Sequence, residues 1–208
     1  MRKALIVDDH PFIRASVRTL LAQELQYQVI ESGNSTEAVR LYRDERPDLV
    51  ILDLSMPGLD GFDVLRRMRE STSPGKIIVL TSMPPGYYSM RSMKAGATAF
   101  VSKSDALDQL RKAIGAVQSG YTYFPDCTDV SLGRVDSDSA EAARISSLTD
   151  REILVLVNLA KGLCNQDIAH TMLLSHKTVS TYKMRMMRKL RLNSVMEMTD
   201  LARRHELI

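Results

Sequence analysis

The chain has 208 residues, enough for one or two domains, with 44% hydrophobic and 25% charged side chains and a formal net charge of +3. That balance excludes a disordered chain, and no stretch reaches the ~18 consecutive apolar residues of a membrane span. Met1-Arg2-Lys3 runs straight into a strand-like segment rather than a secretory leader, and Cys127 and Cys164 lack metal-ligand spacing, so a reducing cytoplasm is expected.

Residues 1–120 alternate short apolar runs with helix-like segments. The runs are 4–8, 27–31, 49–53, 76–81 and 98–102; the helical segments are about 11–25, 35–45, 61–71, 86–95 and 105–118. Five βα units in succession predict a doubly wound five-stranded parallel sheet of order 2-1-3-4-5, an α/β fold. Asn34 with Glu37 suits a helix start, and Pro57-Gly58 and Asp60-Gly61 mark a loop. Residues 126–146 lack periodicity and read as a linker, giving predicted boundaries of 1–122, 123–146 and 147–208.

Residues 147–208 read as all-α, with helices at about 150–160, 165–173, 175–190 and 194–204. Thr149 with Glu152 and Ser194 with Glu197 fit capping boxes, Gly162 a C-cap, and Asn165 and Ser175 N-caps. This part carries 10 basic and 6 acidic side chains, and 177–191 holds six basic residues and no acid. Such a helix points to a polyanion, with a merely solvated basic face as the alternative. The four histidines form no metal motif.

The chemistry concentrates where apolar runs meet charges. Asp8-Asp9 follow the first run, Asp53 the third, Thr81 ends the fourth and Lys103 follows the fifth. In an open parallel sheet the ligand crevice lies beyond the strand C-termini where strand order reverses, here between strands 1 and 3. Three carboxylates sharing that crevice require a cation, and hard oxygen donors favour Mg²⁺. Asp53 is the candidate nucleophile, able to form an acyl phosphate, with Thr81 and Lys103 stabilising the phosphoryl oxygens.

Residues 1–120 thereby resemble the receiver domain of two-component response regulators, through Asp8-Asp9 in VDDH, Asp53 in LVILDLSMPGLDG, Thr81 in IIVLTS and Lys103 in AGATAFVSK. The resemblance implies that Asp53 accepts phosphate from a sensor histidine kinase. It implies that Asp9, Asp53 and the Ser55 backbone carbonyl contact Mg²⁺ directly and Asp8 mainly through water. Thr81 and Phe100 match the family's switch pair. Ala99 departs from the glycine often found there. Residues from Leu148 resemble the helix-turn-helix domain of the NarL/FixJ/LuxR class, and YTYFP at 121–125 with KTVSTYK at 177–183 bring the chain closest to the Bvg/Evg-type regulators.

On helix 175–190, Val179, Tyr182, Met186 and Leu190 recur at core spacing, leaving the opposite side for a major groove. By alignment with similar proteins, Ser180, Thr181 and Met184 occupy base-reading positions. Lys177, Thr178, Lys183, Arg185 and Arg188 suit phosphates. Met184 either touches a thymine methyl or is inert. The stripe Val195, Met198, Leu201 and Ala202 either packs on its own domain or joins two copies as a dimer. The expected function is phosphorylation-controlled promoter binding, with RNA polymerase as a further partner, a homodimer as the phosphorylated form and no membrane. Two alternatives stand beside it: a Mg²⁺-dependent phosphatase or phosphotransferase, and a phosphorylation-independent protein-binding module. Against the first, Ser55 stands where an acid-base carboxylate would help, and the chain is not expected to be a turnover enzyme.

Overall fold

Apolar runs long enough to be buried on both faces make the centre of the first unit. The computed structural model describes residues 2–56, 59–71, 75–105, 107–125, 137–205 and 207–208. The chain divides into two units, 1–127 and 128–208, each described by itself.

In the first unit, strands β1 (Lys3–Val7), β2 (Gln28–Ser32), β3 (Leu49–Leu52), β4 (Lys76–Thr81) and β5 (Ala99–Ser102) form one sheet of order β2-β1-β3-β4-β5. All the pairings are parallel, as the sequence predicts. Ala4 to Val7 and Leu49 to Leu52 are buried throughout, which is why both segments are continuously apolar rather than alternating. β2 lies at the sheet edge and is only partly covered, so its pattern is weaker and its start falls one residue later than predicted.

Helices cover both faces. α1 (Pro11–Thr19) and α5 (Leu107–Gln118) bury Val17, Leu110, Ala113, Ile114 and Val117 against Ala4, Ile6, Leu49, Ile51, Ile78 and Val101. The predicted single helix 11–25 is instead α1 followed by a π-helical turn, Leu20–Glu24, in which Leu25 N donates to Leu20 O. The wider turn places the consecutive leucines Leu20 and Leu21 both in the core.

α2 (Ser35–Glu45), α3 (Gly61–Arg69) and α4 (Pro85–Lys94) complete the unit. Asn34 caps α2 through Thr36 N and Glu37 N, but Glu37 accepts from Ser32 Oγ (2.8 Å) rather than closing a box. Asp60 caps α3, and Gly61 is needed there: a Cβ would lie 2.4 Å from Leu54 Cα. That close approach holds the start of α3 against the segment after Asp53. Pro57-Gly58 lies outside the described residues.

The sequence 121–125, read only as a family signature, adds a parallel bridge beside β5. Phe100 N donates to Tyr123 O and Tyr123 N to Thr98 O, while the Tyr123 hydroxyl donates to Gln109 Oε1.

In the second unit, α6 (Ser137–Ser146) forms within the stretch that has no sequence periodicity; residues 126–136, with Cys127, lie outside the described residues. α7 (Asp150–Ala160), α8 (Asn165–Thr171), α9 (His176–Leu190) and α10 (Val195–Arg204) follow the predicted order. The Thr149/Glu152 capping box is complete. The Glu152 carboxylate also accepts from Lys189 Nζ at 2.6 Å, tying the start of α7 to α9. Gly162, with φ +88°, stands one residue beyond the C-cap Lys161. Two cap expectations change. Cys164, not Asn165, is the N-cap of α8, and Asn165 Nδ2 reaches Ser180 Oγ on α9 (3.3 Å). Ser194 caps α10 through Glu197 N, but Glu197 accepts from Asn193 N instead of Ser194 N. No helix among the described residues is long and apolar enough to cross a membrane.

Candidate functional sites: an acidic pocket and a basic helix

Parallel pairing of β1 with β3 sets Val7 beside Leu52, so the next residues, Asp8 and Asp53, leave the sheet side by side. Strand order reverses at this junction, opening the crevice beyond the strand ends. Asp53 N donates to Val7 O (2.8 Å), which holds the two turns together. Both carboxylates are buried, Asp8 being 2% exposed and Asp53 1%.

Lys103 enters from the end of β5, held by its own N–H on Thr81 O (2.8 Å). Its Nζ donates to Asp53 Oδ2 at 2.7 Å and lies 2.8 Å from Asp8 Oδ2. Burial disfavours the ammonium, but Asp53 and then Asp8 outweigh it and hold Lys103 above the usual lysine range. The other Asp53 oxygen, Oδ1, accepts from Ser55 N (3.0 Å). The Ser55 and Thr81 hydroxyls lie 3.1 Å apart, and Thr81 is fully buried. Phe100, on the strand next to Thr81, is buried at 1% exposure.

Carboxylate oxygens of Asp8, Asp9 and Asp53 and a ring nitrogen of His10 lie within 4.8 Å of one another. Asp9 Oδ1 is buried and 2.8 Å from His10 Nδ1, but out of line for a hydrogen bond. A buried carboxylate oxygen without a hydrogen bond is a free hard donor, and the pocket therefore fits a divalent cation. His10 is the participant that sequence reasoning missed: its Nδ1 also lies 3.2 Å from Asp8 Oδ1 and 3.5 Å from Lys103 Nζ. The available signal was its position directly after the acidic pair.

α9 forms because Ser175 caps it through Thr178 N and because Val179, Met186 and Leu190 supply a buried stripe. Tyr182, predicted for that stripe, is half-buried. Lys177, Met184, Arg185 and Arg188 are exposed, and Thr178, Ser180, Thr181 and Lys183 are half-buried. The hydroxyls are engaged locally: Thr178 with Ser175 Oγ (2.7 Å), Thr181 with Lys177 O (2.9 Å), and Ser180 with Asn165. Of the six basic residues in 177–191, Lys189 is committed to Glu152. On α10, Met198, Leu201 and Ala202 are buried, packing within their own unit, whereas Val195 is 38% exposed.

A parallel sheet with an acidic C-terminal crevice, followed by a unit whose described residues form five helices, one of them basic, defines a phosphoacceptor module joined to a nucleic-acid-binding module. Residues 4–115 match the response regulator receiver domain, and residues 146–202 match the LuxR family of bacterial regulatory proteins. The chain belongs to the LuxR-type response regulators. It is 41% identical over 205 residues to BvgA of Bordetella pertussis, a positive transcription regulator of virulence factors, covering 99% of this chain and 98% of that one. It is 36% identical over 207 residues to the DNA-binding transcriptional activator EvgA of Escherichia coli, covering 98% of each. The solved structure of RcsB from Salmonella enterica, bound to promoter P1flhDC in the presence of the phosphomimetic BeF3⁻, matches with a TM-score of 0.58 and 26% identity. That match covers 96% of this chain and 97% of the other. The protein is accordingly a response regulator, with a receiver domain followed by a LuxR-family regulatory domain.

Proposed function

We propose that Asp53 is the phosphoacceptor and that its occupancy by phosphate, donated by a sensor histidine kinase, controls dimerisation and promoter binding. The observation that carries this reading is the Lys103 ammonium held between Asp53 and Asp8 at the mouth of a carboxylate pocket. An Asp53 oxygen attacks the phosphorus of a phosphohistidine, the P–N bond breaks, and the imidazole leaves with the bonding pair. Lys103 pairs with a phosphoryl oxygen and the Thr81 hydroxyl donates to another. Asp8, Asp9, Asp53 and the Ser55 carbonyl would hold Mg²⁺, which supplies charge neutralisation on the transferring group.

Thr81 and Phe100 act as the switch pair that carries the change to α4 and β5. The chain is a stoichiometric acceptor rather than a turnover enzyme, since Ser55 stands two residues after Asp53 in place of an acid-base carboxylate. The receiver starts at residue 1 and includes the Tyr123 bridge, and α6 belongs with the DNA-binding domain on which it packs, so both ends of the expected 123–146 linker pass to the flanking domains. Ser180, Thr181 and Met184 read bases, while Lys177, Thr178, Lys183, Arg185 and Arg188 hold phosphates. The phosphorylated form is a homodimer that engages RNA polymerase in the cytoplasm. Labelling with radioactive acetyl phosphate tests the assignment: Asp53→Asn is expected to abolish it, and undiminished labelling would overturn it.

A further inference from the structure

The turn between α8 and α9 holds an apolar residue that its own unit does not use. Among the described residues, Gln26, Arg46, Leu173 and Arg191 are the non-glycine residues with positive φ, and Leu173, at +52°, is the apolar one. It stands one position past the C-cap of α8. Leu173 N donates to His170 O (3.2 Å) and Leu174 N to Ala169 O (2.8 Å), the two bonds of a Schellman ending. Glycine or asparagine meets that conformation at least cost, and a leucine crowds its Cβ against the backbone. The apolar contact that accompanies such an ending belongs to the following residue, here the half-buried Leu174. Leu173 itself leaves 70% of its surface exposed. It therefore carries backbone strain and apolar exposure with little packing in return, the pattern of a residue retained for a partner.

Its place in the fold identifies the partner. Leu173 lies two residues before Ser175, the N-cap of α9. In a helix-turn-helix unit the N-terminal end of the recognition helix meets base edges. The turn that carries Leu173 leads directly into that end of α9. The apolar group that a base offers there is the thymine C5 methyl. Met184, 61% exposed, is the other apolar candidate, but it sits about 13 Å along the helix axis from the N-cap Ser175 at 1.5 Å per residue, and so faces a different base pair.

We propose that Leu173 is a specificity-determining residue that contacts a thymine methyl at the end of the half-site read by α9. This rests on the reading that α9 enters the major groove, and the test separates the two. Full-length protein treated with acetyl phosphate selects duplexes from a random pool. Each thymine of a selected duplex is then replaced singly by uracil, which keeps the pairing and removes the methyl. Wild-type affinity is expected to fall about fourfold at one position per half-site, the value of one buried methyl group. Leu173→Asn, which suits the left-handed backbone, is expected to lose that one sensitivity and to unfold a few degrees higher. Uracil sensitivity that survives unchanged in Leu173→Asn, or is absent from the wild type, overturns the proposal while leaving the groove reading intact. An altered oligomeric state with unchanged uracil sensitivity assigns Leu173 to a protein contact and also overturns it. Selection of no duplex by the wild type overturns the groove reading and the proposal together.

Discussion

Lys103 Nζ lies 2.7 Å from Asp53 Oδ2 and 2.8 Å from Asp8 Oδ2, so one buried ammonium neutralises two buried carboxylates. The same charge repels any divalent cation entering the pocket. Lys103→Ala is therefore expected to tighten Mg²⁺ binding, by about tenfold for removal of one like charge at this range and moderate screening. The same substitution is expected to slow labelling by acetyl phosphate, because no cation then meets the incoming phosphoryl oxygen. Calorimetric titration with MgCl₂ reads the first effect. Unchanged affinity would show that the ammonium swings away before the cation enters.

Gly61 transmits the position of α3 to the pocket. A methyl there would sit 2.4 Å from Leu54 Cα and 2.7 Å from Leu54 O, both backbone atoms that cannot rotate away. Gly61→Ala is expected to cost about 1–3 kcal/mol of first-unit stability and to shift the segment carrying Ser55. Denaturant unfolding measures the cost, and a wild-type midpoint would show that α3 moves instead.

Most of the pocket was legible in the sequence because each member ends a buried strand, and parallel pairing fixes where those ends meet. Asp8, Asp53, Thr81 and Lys103 came together for that reason. His10 did not stand out, since its approach to Asp9 depends on how the chain turns into α1. The bond between the Ser55 and Thr81 hydroxyls joins residues 26 positions apart, and neither side chain announces the other. α6 was illegible for a different reason. Its sequence, SDSAEAARIS, has no long apolar stripe, and the helix is anchored by tertiary bonds. Glu141 accepts from Arg204 (3.1 Å) and lies 3.2 Å from His205 Nε2, and Arg144 donates to Leu190 O (3.3 Å). Ile145 is buried beneath them. Such anchors come from α9 and α10, far along the chain, where local periodicity carries no trace of them.

Glu152 makes the second unit sensitive to acid. Burial pushes its carboxyl upward, but the Lys189 hydrogen bond and the Thr149 N–H together hold it below the usual glutamate range. A lowered folded-state value means that this stabilisation is present above the unfolded-state value, near 4.5, and is lost as pH falls through the folded one. Glu152→Gln is expected to cost about 1–2 kcal/mol at neutral pH and to flatten the acid limb of the stability curve. Thermal unfolding of the full chain between neutral and acid pH checks both effects. An equal loss at every pH would place the cost in packing.

Lys177 tests how α9 meets DNA. It is exposed in the first turn, beside the N-cap Ser175, and among the described residues no ion pair holds it. A lysine free to reach phosphate releases about one counterion on binding, whatever the base sequence. Lys177→Ala is expected to weaken binding to specific and unrelated duplexes by similar factors. It should also reduce the slope of log affinity against log salt by about one. Met184→Ala should behave oppositely if its side chain reads a base, lowering affinity for the preferred duplex while leaving the salt slope as it was. Anisotropy titrations over a range of salt concentrations distinguish the two variants. An unchanged slope in Lys177→Ala would remove that residue from the phosphate contacts, and the charge count would then pass to Lys183, Arg185 and Arg188.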